Sequence, residues 1–176
     1  NTLQSISFKV EKGQTVALVG PTGAGNTTIM QLISRFYDPG EGAVLFDGHN
    51  IKDIQRETMR SQMAFVLQDP FLFEASVFEN IRYGRLDATD EAIIAAATKA
   101  NAHDFIMKLE NGYETVLNAD GAEISQGQKQ LLSIARALVA DPVILLLDEA
   151  TSSIDTVTEL KIQEALEVLM QGRTSF

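Results

Sequence analysis

The sequence contains no cysteine. This absence excludes disulfide bonds, thiolate nucleophiles and zinc–sulfur sites, and it fits the reducing environment of the cytosol. Long apolar runs are also missing. No run of apolar residues approaches the length of a transmembrane helix, which is about 18 consecutive residues. What remains is a composition with 45% hydrophobic and 22% charged residues, typical of a globular domain that can bury a core.

Positive charge is scarce, with 14 Lys and Arg residues against 24 Asp and Glu residues and a net charge of -10. An acidic chain repels phosphate backbones, so nucleic acid is not an expected partner. A local anion site is still possible, because backbone N–H groups can build one without any cationic side chain.

The two ends of the sequence suggest a piece of a longer protein. The first residue is Asn1 rather than Met, and no signal-peptide pattern follows it. At the other end, Phe176 comes directly after a Gly172–Arg173–Thr174 turn, where a new strand begins. We therefore expect a chain that is truncated at both ends.

Hydrophobic periodicity predicts alternating strands and helices. We predict strands at residues 6–10, 15–19, 43–46, 63–67 and 143–147, and helices at residues 27–36, 91–102 and 156–170. This alternation favours a parallel α/β sheet. The mainly helical stretch 70–138 separates two such strands, so we predict a core domain of 1–69 and 139–176 with an inserted helical lobe at 70–138.

A glycine-rich segment connects the predicted strand 15–19 to the next helix, as a phosphate-binding P-loop does. Its residues are Gly20, Pro21, Thr22, Gly23, Ala24, Gly25, Asn26, Thr27 and Thr28. Glycines allow successive backbone N–H groups to point at phosphate oxygens, and a hydroxyl at Thr27 is suited to binding Mg²⁺. The motif has lysine where this chain has Asn26, so a purely structural turn is the alternative.

Two carboxylates follow the apolar run 143–147, namely Asp148 and Glu149. Ligands of open α/β sheets bind beyond the carboxyl ends of the strands. In that position Asp148 would hold Mg²⁺ through its water shell, and Glu149 would polarise the water that attacks a γ-phosphate. The alternative is a pair of solvated acids at the end of a core strand.

A further motif, Ser125-Gln126-Gly127-Gln128, opens an amphipathic helix. Ser125 and Gln128 form the pattern of a capping box. The same glycine-bearing helix end can also present N–H groups to an anion. Both interpretations can hold together.

The order of these motifs resembles the nucleotide-binding domain of ATP-binding cassette (ABC) transporters. Ser125–Gln128 is similar to the signature of that family, and it lies between the P-loop and the Asp148-Glu149 strand end. Gln68 resembles the family's Q-loop glutamine, and Ser152-Ser153-Ile154-Asp155 resembles its D-loop. Residues 68–73 and 76–84 are similar to the exporter subclass.

The resemblance implies a P-loop NTPase (RecA-like) fold: a parallel sheet core, an N-terminal antiparallel β portion and an inserted α-helical lobe. It implies ATP and Mg²⁺ as ligands, with Thr27, Gln68 and Asp148 at the metal and Glu149 and Gln68 in catalysis. The implied nucleotide-binding set comprises residues 20–28 together with Ser125, Gly127, Gln128 and Asp155.

The resemblance also implies partners. A second nucleotide-binding domain, identical to this one or different, would pair head-to-tail with it and sandwich ATP. Closure would drive a transmembrane domain of the same chain or of a partner chain, at the cytoplasmic face of a membrane that is expected to be a bacterial plasma membrane. Phe71, Leu72 and Phe73 either line a groove for that transmembrane domain or belong to the core. The family's adenine-stacking aromatic residue and its switch histidine would lie outside residues 1–176.

Two rival functions are considered. Chromosome-maintenance and repair ATPases share these motifs but carry a long heptad coiled coil between P-loop and signature, and this sequence has none there. The other rival is a catalytically weak or regulatory cassette. Asn26 favours it, whereas the intact Glu149 and Ser125–Gln128 argue against it.

Overall fold

The computed structural model describes residues 3–21, 23–67, 69–118, 124–148 and 154–176. The α-helices in these residues are α1 (Asn26–Ile33), α2 (Arg56–Ser61), α3 (Val77–Arg82), α4 (Asp90–Lys99), α5 (His103–Met107), α6 (Gln126–Ala140) and α7 (Thr156–Met170). The strands are β1 (Leu45–Phe46), β2 (His49–Asn50), β3 (Met63–Val66), β4 (Ile144–Leu147) and β5 (Thr174–Ser175). None of the helices in the described ranges is both long and apolar enough to cross a membrane.

The chain forms two compact units. The first unit consists of Asn1–Ala64, Pro142–Leu146 and Gly172–Phe176. The second unit consists of Phe65–Asp141 and Leu147–Gln171. The boundaries expected from the sequence, with a helical lobe at 70–138, remain a prediction.

The first unit contains the parallel pairing that the sequence predicts. Strands are ordered β3-β4-β5, and β4 pairs with β5 in parallel, with Ile144 opposite Thr174. Leu145 and Leu146 of the central strand are fully buried, as expected for an apolar strand covered on both faces. A separate antiparallel pair, β1 with β2, turns at Asp47 and Gly48, which both have positive φ.

The strands predicted at residues 6–10 and 15–19 are wrong. Neither is a strand in the structure, and only Thr15 forms a bridge, in parallel to Ser175. Ile6 and Phe8 are each 53% exposed, and Val19 is 85% exposed. An alternating pattern produces a strand only where its apolar face gains packing, and these side chains gain little.

Helix α1 ends at Ile33, three residues before the predicted end at residue 36. The chain turns at Arg35, which has a left-handed φ of 58°. The Arg35 guanidinium donates to the carbonyls of Ile51 and Ile54 at 3.1 and 2.9 Å. These bonds stabilise a backbone conformation that periodicity alone does not predict.

The second unit is built around α6. This helix packs against α3, α4 and α7, and its buried side chains include Leu131, Leu132 and Ile134. Its capping residue is Ser125, whereas α7 is capped by Asp155. The predicted start of the signature helix and the predicted range 156–170 are both confirmed.

Candidate functional site

The glycine-rich loop of the first unit has a conformation that requires its glycines. Gly23 and Gly25 have φ values of 87° and 106°, which side chains rarely adopt. A Cβ on Gly20 would lie 2.7 Å from the Cβ of Ala24, which is too close for two carbon atoms. The Ala24 N–H closes the turn by donating to the Pro21 carbonyl at 3.0 Å. The backbone therefore curls tightly before α1 begins.

The start of α1 offers backbone donors. Gly25 precedes the helix, and within the described residues no side chain caps it. The first N–H groups of a helix have no partners in the helix itself, so an anion can accept from them. Thr27 is exposed and Thr28 is half-buried in the first turn. A hydroxyl in that position is a hard oxygen ligand of the kind that Mg²⁺ prefers.

Asn26, the first residue of α1, is turned back toward the preceding chain. Its Nδ2 donates to the Leu18 carbonyl at 3.3 Å. The two terminal side-chain atoms lie 3.7 and 3.9 Å from the position that a Cβ on Gly20 would take. The amide is half-buried and neutral, and its donor is used by the protein itself.

Ser125 and Gln128 form a complete capping box at the start of α6. The Gln128 N–H donates to Ser125 Oγ at 3.1 Å, and the Ser125 N–H donates to Gln128 Oε1 at 3.0 Å. One of the helix's initial donors, the Gln128 N–H, and the N–H of the capping residue are therefore satisfied reciprocally. The structural interpretation of this motif is confirmed, and its contact with nucleotide remains a prediction.

The beginning of α7 lies directly on Gly127. A Cβ at Gly127 would overlap the Cγ2 methyl of Thr158 and would lie 3.3 Å from Cγ2 of Ile154. Asp155 caps α7 by accepting from the Thr158 N–H at 3.0 Å. Hydrogen bonds from Thr158 lower the pKa of the Asp155 carboxyl below its ordinary value.

Asp148 stands exposed at the carboxyl end of β4. Its N–H donates to the Val66 carbonyl at 2.8 Å, which aligns it with the end of β3. From α6, the buried Gln130 side chain donates to the Leu67 carbonyl at 3.0 Å. The signature helix thus holds the strand end that precedes Gln68.

A polar network in the second unit was missed from the sequence. Arg136 of α6 donates through Nε to the Asn80 carbonyl at 2.8 Å and through Nη1 to the Phe71 carbonyl at 2.9 Å. Asn80 is 1% exposed, and its side chain bonds both backbone groups of Phe73. Burial lowers the pKa of the Arg136 guanidinium. The sequence did contain a signal for this network. Asn80 in α3 and Arg136 in α6 are polar residues at helical positions with apolar neighbours three or four residues away, and such positions are expected to be buried.

Segment 71–73, which is assigned from the sequence either to a groove for a transmembrane domain or to the core, contains both a core residue and a surface residue. Leu72 is 6% exposed and belongs to the core, whereas Phe71 is 65% exposed with its ring 4.9 Å from that of Phe73.

The predicted site residues Thr22, Gln68 and Glu149 lie outside the described residues, as do Ser152 and Ser153.

Comparison with known proteins gives consistent matches. A family model described as ABC transporter matches residues 3–152. The chain is 61% identical over 174 residues to YfiC, an uncharacterised ABC transporter ATP-binding protein of Bacillus subtilis, covering 99% of this chain and 29% of that protein. It is 53% identical over 178 residues to multidrug resistance protein 4 of Entamoeba histolytica, covering 99% of this chain and 14% of that protein.

A solved structure of a bacterial Atm1-family ABC exporter with ATP bound matches with a TM-score of 0.90 and 43% identity. The match covers 99% of this chain and 30% of that one, so the chain spans less than a third of each of these proteins. The P-loop NTPase fold predicted from the sequence is therefore confirmed. The chain belongs to the ABC transporter family and corresponds to the ATP-binding domain of its exporter type.

Proposed function

We propose that the loop of residues 20–28 binds the phosphates of MgATP and that Asn26 makes this binding weak. The observation that carries the proposal is the start of α1, where glycines with positive φ precede a helix end that no described side chain caps, which leaves backbone N–H groups for an anion. Thr27 and Asp148 are the described residues that would offer oxygen ligands to Mg²⁺, which would neutralise phosphate charge.

The proposed catalytic roles rest on motif positions. Glu149 would polarise the attacking water, and Gln68 would contact the metal and the γ-phosphate. Ser125, Gly127, Gln128 and Asp155 would face the nucleotide held by a second domain in a head-to-tail dimer. The capping box leaves the helix dipole of α6 available to that nucleotide.

The whole protein would couple ATP hydrolysis to export across a membrane from its cytoplasmic face. The exporter type of the relatives supports this proposal. In segment 71–73, Phe71 is the residue that is largely exposed, at 65%, and it would be the one to contact a transmembrane-domain partner.

Asn26 favours a second candidate, a cassette that binds nucleotide weakly and regulates a partner site. A lysine would bring a cation to the β- and γ-phosphates, where a charge-assisted bond contributes about 1.5–3 kcal/mol. The Asn26 amide is neutral and already donates to Leu18. Losing one such bond weakens MgATP binding by about 10- to 150-fold.

The test is calorimetry of MgATP binding to the parent chain, Asn26→Lys and Asn26→Gln. We expect tighter binding for Asn26→Lys by about 10- to 150-fold, and no gain for Asn26→Gln, which lengthens the side chain without adding charge. Steady-state ATPase rates of the same variants measure the catalytic effect of the cation. Equal affinities for the parent and Asn26→Lys would contradict the proposed weakness.

A further inference from the structure

The glycine in the signature motif faces protein rather than open space. Gly127 is buried in the first turn of α6, and the beginning of α7 covers its Cα. A Cβ there would overlap the Thr158 methyl and would lie 3.4 Å from Thr158 Cβ and 3.3 Å from Ile154 Cγ2. The beginning of α7 therefore occupies the space that a side chain at Gly127 would need.

Thr158 is held in this position by its own backbone. Its N–H donates to the Asp155 carboxylate at 3.0 Å, which caps α7 and fixes the first turn of the helix. In a helix the χ1 angle of Thr divides between two rotamers, and the one that Thr158 adopts places its Cγ2 methyl against Gly127. The capped first turn of α7 therefore places the Cγ2 methyl of Thr158 against Gly127.

We propose that Thr158 is a positioning residue for the Ser125-capped end of α6, because its Cγ2 methyl sets how closely α7 approaches Gly127. The proposal rests on the proposed function in that this helix end is taken to meet the nucleotide of a second domain. It goes beyond that function at Gly127. Glycine is needed at this position because α7 leaves no space for a side chain, and not only because a nucleotide approaches it.

The test uses Gly127→Ala, Thr158→Ser and the double variant, all in the Asn26→Lys chain. Thr158→Ser removes the overlapping methyl but keeps the hydroxyl. Matched controls are Gly40→Ala, where a Cβ meets nothing within 4 Å, and Thr156→Ser, at an exposed position of the same helix.

The first measurement needs no nucleotide. Alanine is the better helix former, so Gly127→Ala should raise the urea midpoint wherever space exists. We expect it to lower the midpoint when Thr158 is present and to raise it in the Thr158→Ser background, with faster amide exchange at residues 126–129 only in the single variant. A shift of the same sign in both backgrounds would overturn the proposal.

The second measurement is MgATP-dependent self-association followed by sedimentation. We expect Gly127→Ala to weaken association by about tenfold or more, and the added Thr158→Ser to restore most of it. A double variant as weak as the single variant would show that the nucleotide, not Thr158, requires the glycine. If the Asn26→Lys chain does not bind MgATP, the proposed function fails; if it binds MgATP but does not self-associate, pairing with a second copy of this chain fails. In both cases the sign of the midpoint shift alone decides the role of Thr158.

Discussion

Helices α1 and α6 both begin at a motif that the family resemblance connects to ATP, yet they begin differently. Helix α1 is 8 residues long, follows a left-handed Gly25 and has no side-chain cap among the described residues. Helix α6 is 15 residues long, starts with a complete capping box and buries Leu131, Leu132 and Ile134. The first is shaped by glycine conformations and the second by hydrogen bonds and packing.

The two helix ends therefore differ in whether side chains already pair with their backbone donors before a ligand binds. At α1 no described side chain caps the helix, so a ligand can supply acceptors for its first backbone donors. At α6 the side chains of Ser125 and Gln128 already satisfy donors, and Gln130 and Arg136 attach the helix to neighbouring backbone. A ligand at α6 would therefore meet a surface whose geometry is fixed before binding.

The largest expected effect concerns the polar network around α6. Asn80→Ala should lower the free energy of unfolding by about 3 kcal/mol, because it removes the acceptor of the Phe73 N–H and one acceptor of the Arg136 guanidinium, and it truncates a buried side chain. Urea denaturation measures the change. The exposed Asn111→Ala is the control, with an expected change of less than about 0.5 kcal/mol. Equal changes for the two variants would mean that hydrogen bonds do not hold this unit together.

A direct comparison of the two helix starts comes from Ser125→Ala and Asn26→Ala. Ser125→Ala removes a cap and should cost about 0.5–2 kcal/mol of unfolding free energy. Asn26→Ala loses a 3.3 Å bond but gains helix propensity, so we expect a change below about 0.5 kcal/mol. Urea denaturation of both variants checks the contrast, and a larger loss for Asn26→Ala would reverse it.

The smallest effect concerns pH at the start of α7. The pKa of Asp155 is lowered by its hydrogen bonds with Thr158, below an unfolded value of about 3.9. The contribution of its charge to stability is therefore present above pH of about 4 and is lost as pH falls through the folded pKa. The difference in urea midpoint between the parent and Asp155→Asn should shrink between pH of about 6 and about 3. The Ser125→Ala difference should stay constant, since a serine hydroxyl does not titrate in this range.

Local patterns in the sequence predicted the elements whose determinants are local. The capping box Ser125–Gln128 and helix α7 at Thr156–Met170 were predicted correctly because caps and helical periodicity lie within a few residues of each other. The central strand β4 was predicted from its apolar run.

Features that depend on distant contacts were not predictable. The Arg136–Asn80 bond joins residues 56 positions apart, and Gln130 contacts Leu67 across 63 positions. The overlap that Thr158 imposes on Gly127 likewise depends on how two helices pack. Residues 6–10 show the opposite error, a strand that was predicted but does not form. Their alternating pattern is local, but Ile6 and Phe8 lack the packing that would make the segment a strand.

The most direct test of the contrast between the two helix ends is residue-resolved amide hydrogen exchange of the Asn26→Lys chain with and without MgATP. The chain should be dilute enough to remain monomeric, so that no second domain contributes contacts. MgATP should slow exchange at residues 23–29, where backbone donors gain phosphate acceptors, and leave residues 126–129 unchanged. Equal protection at both helix ends, or protection at α6 alone, would contradict the account.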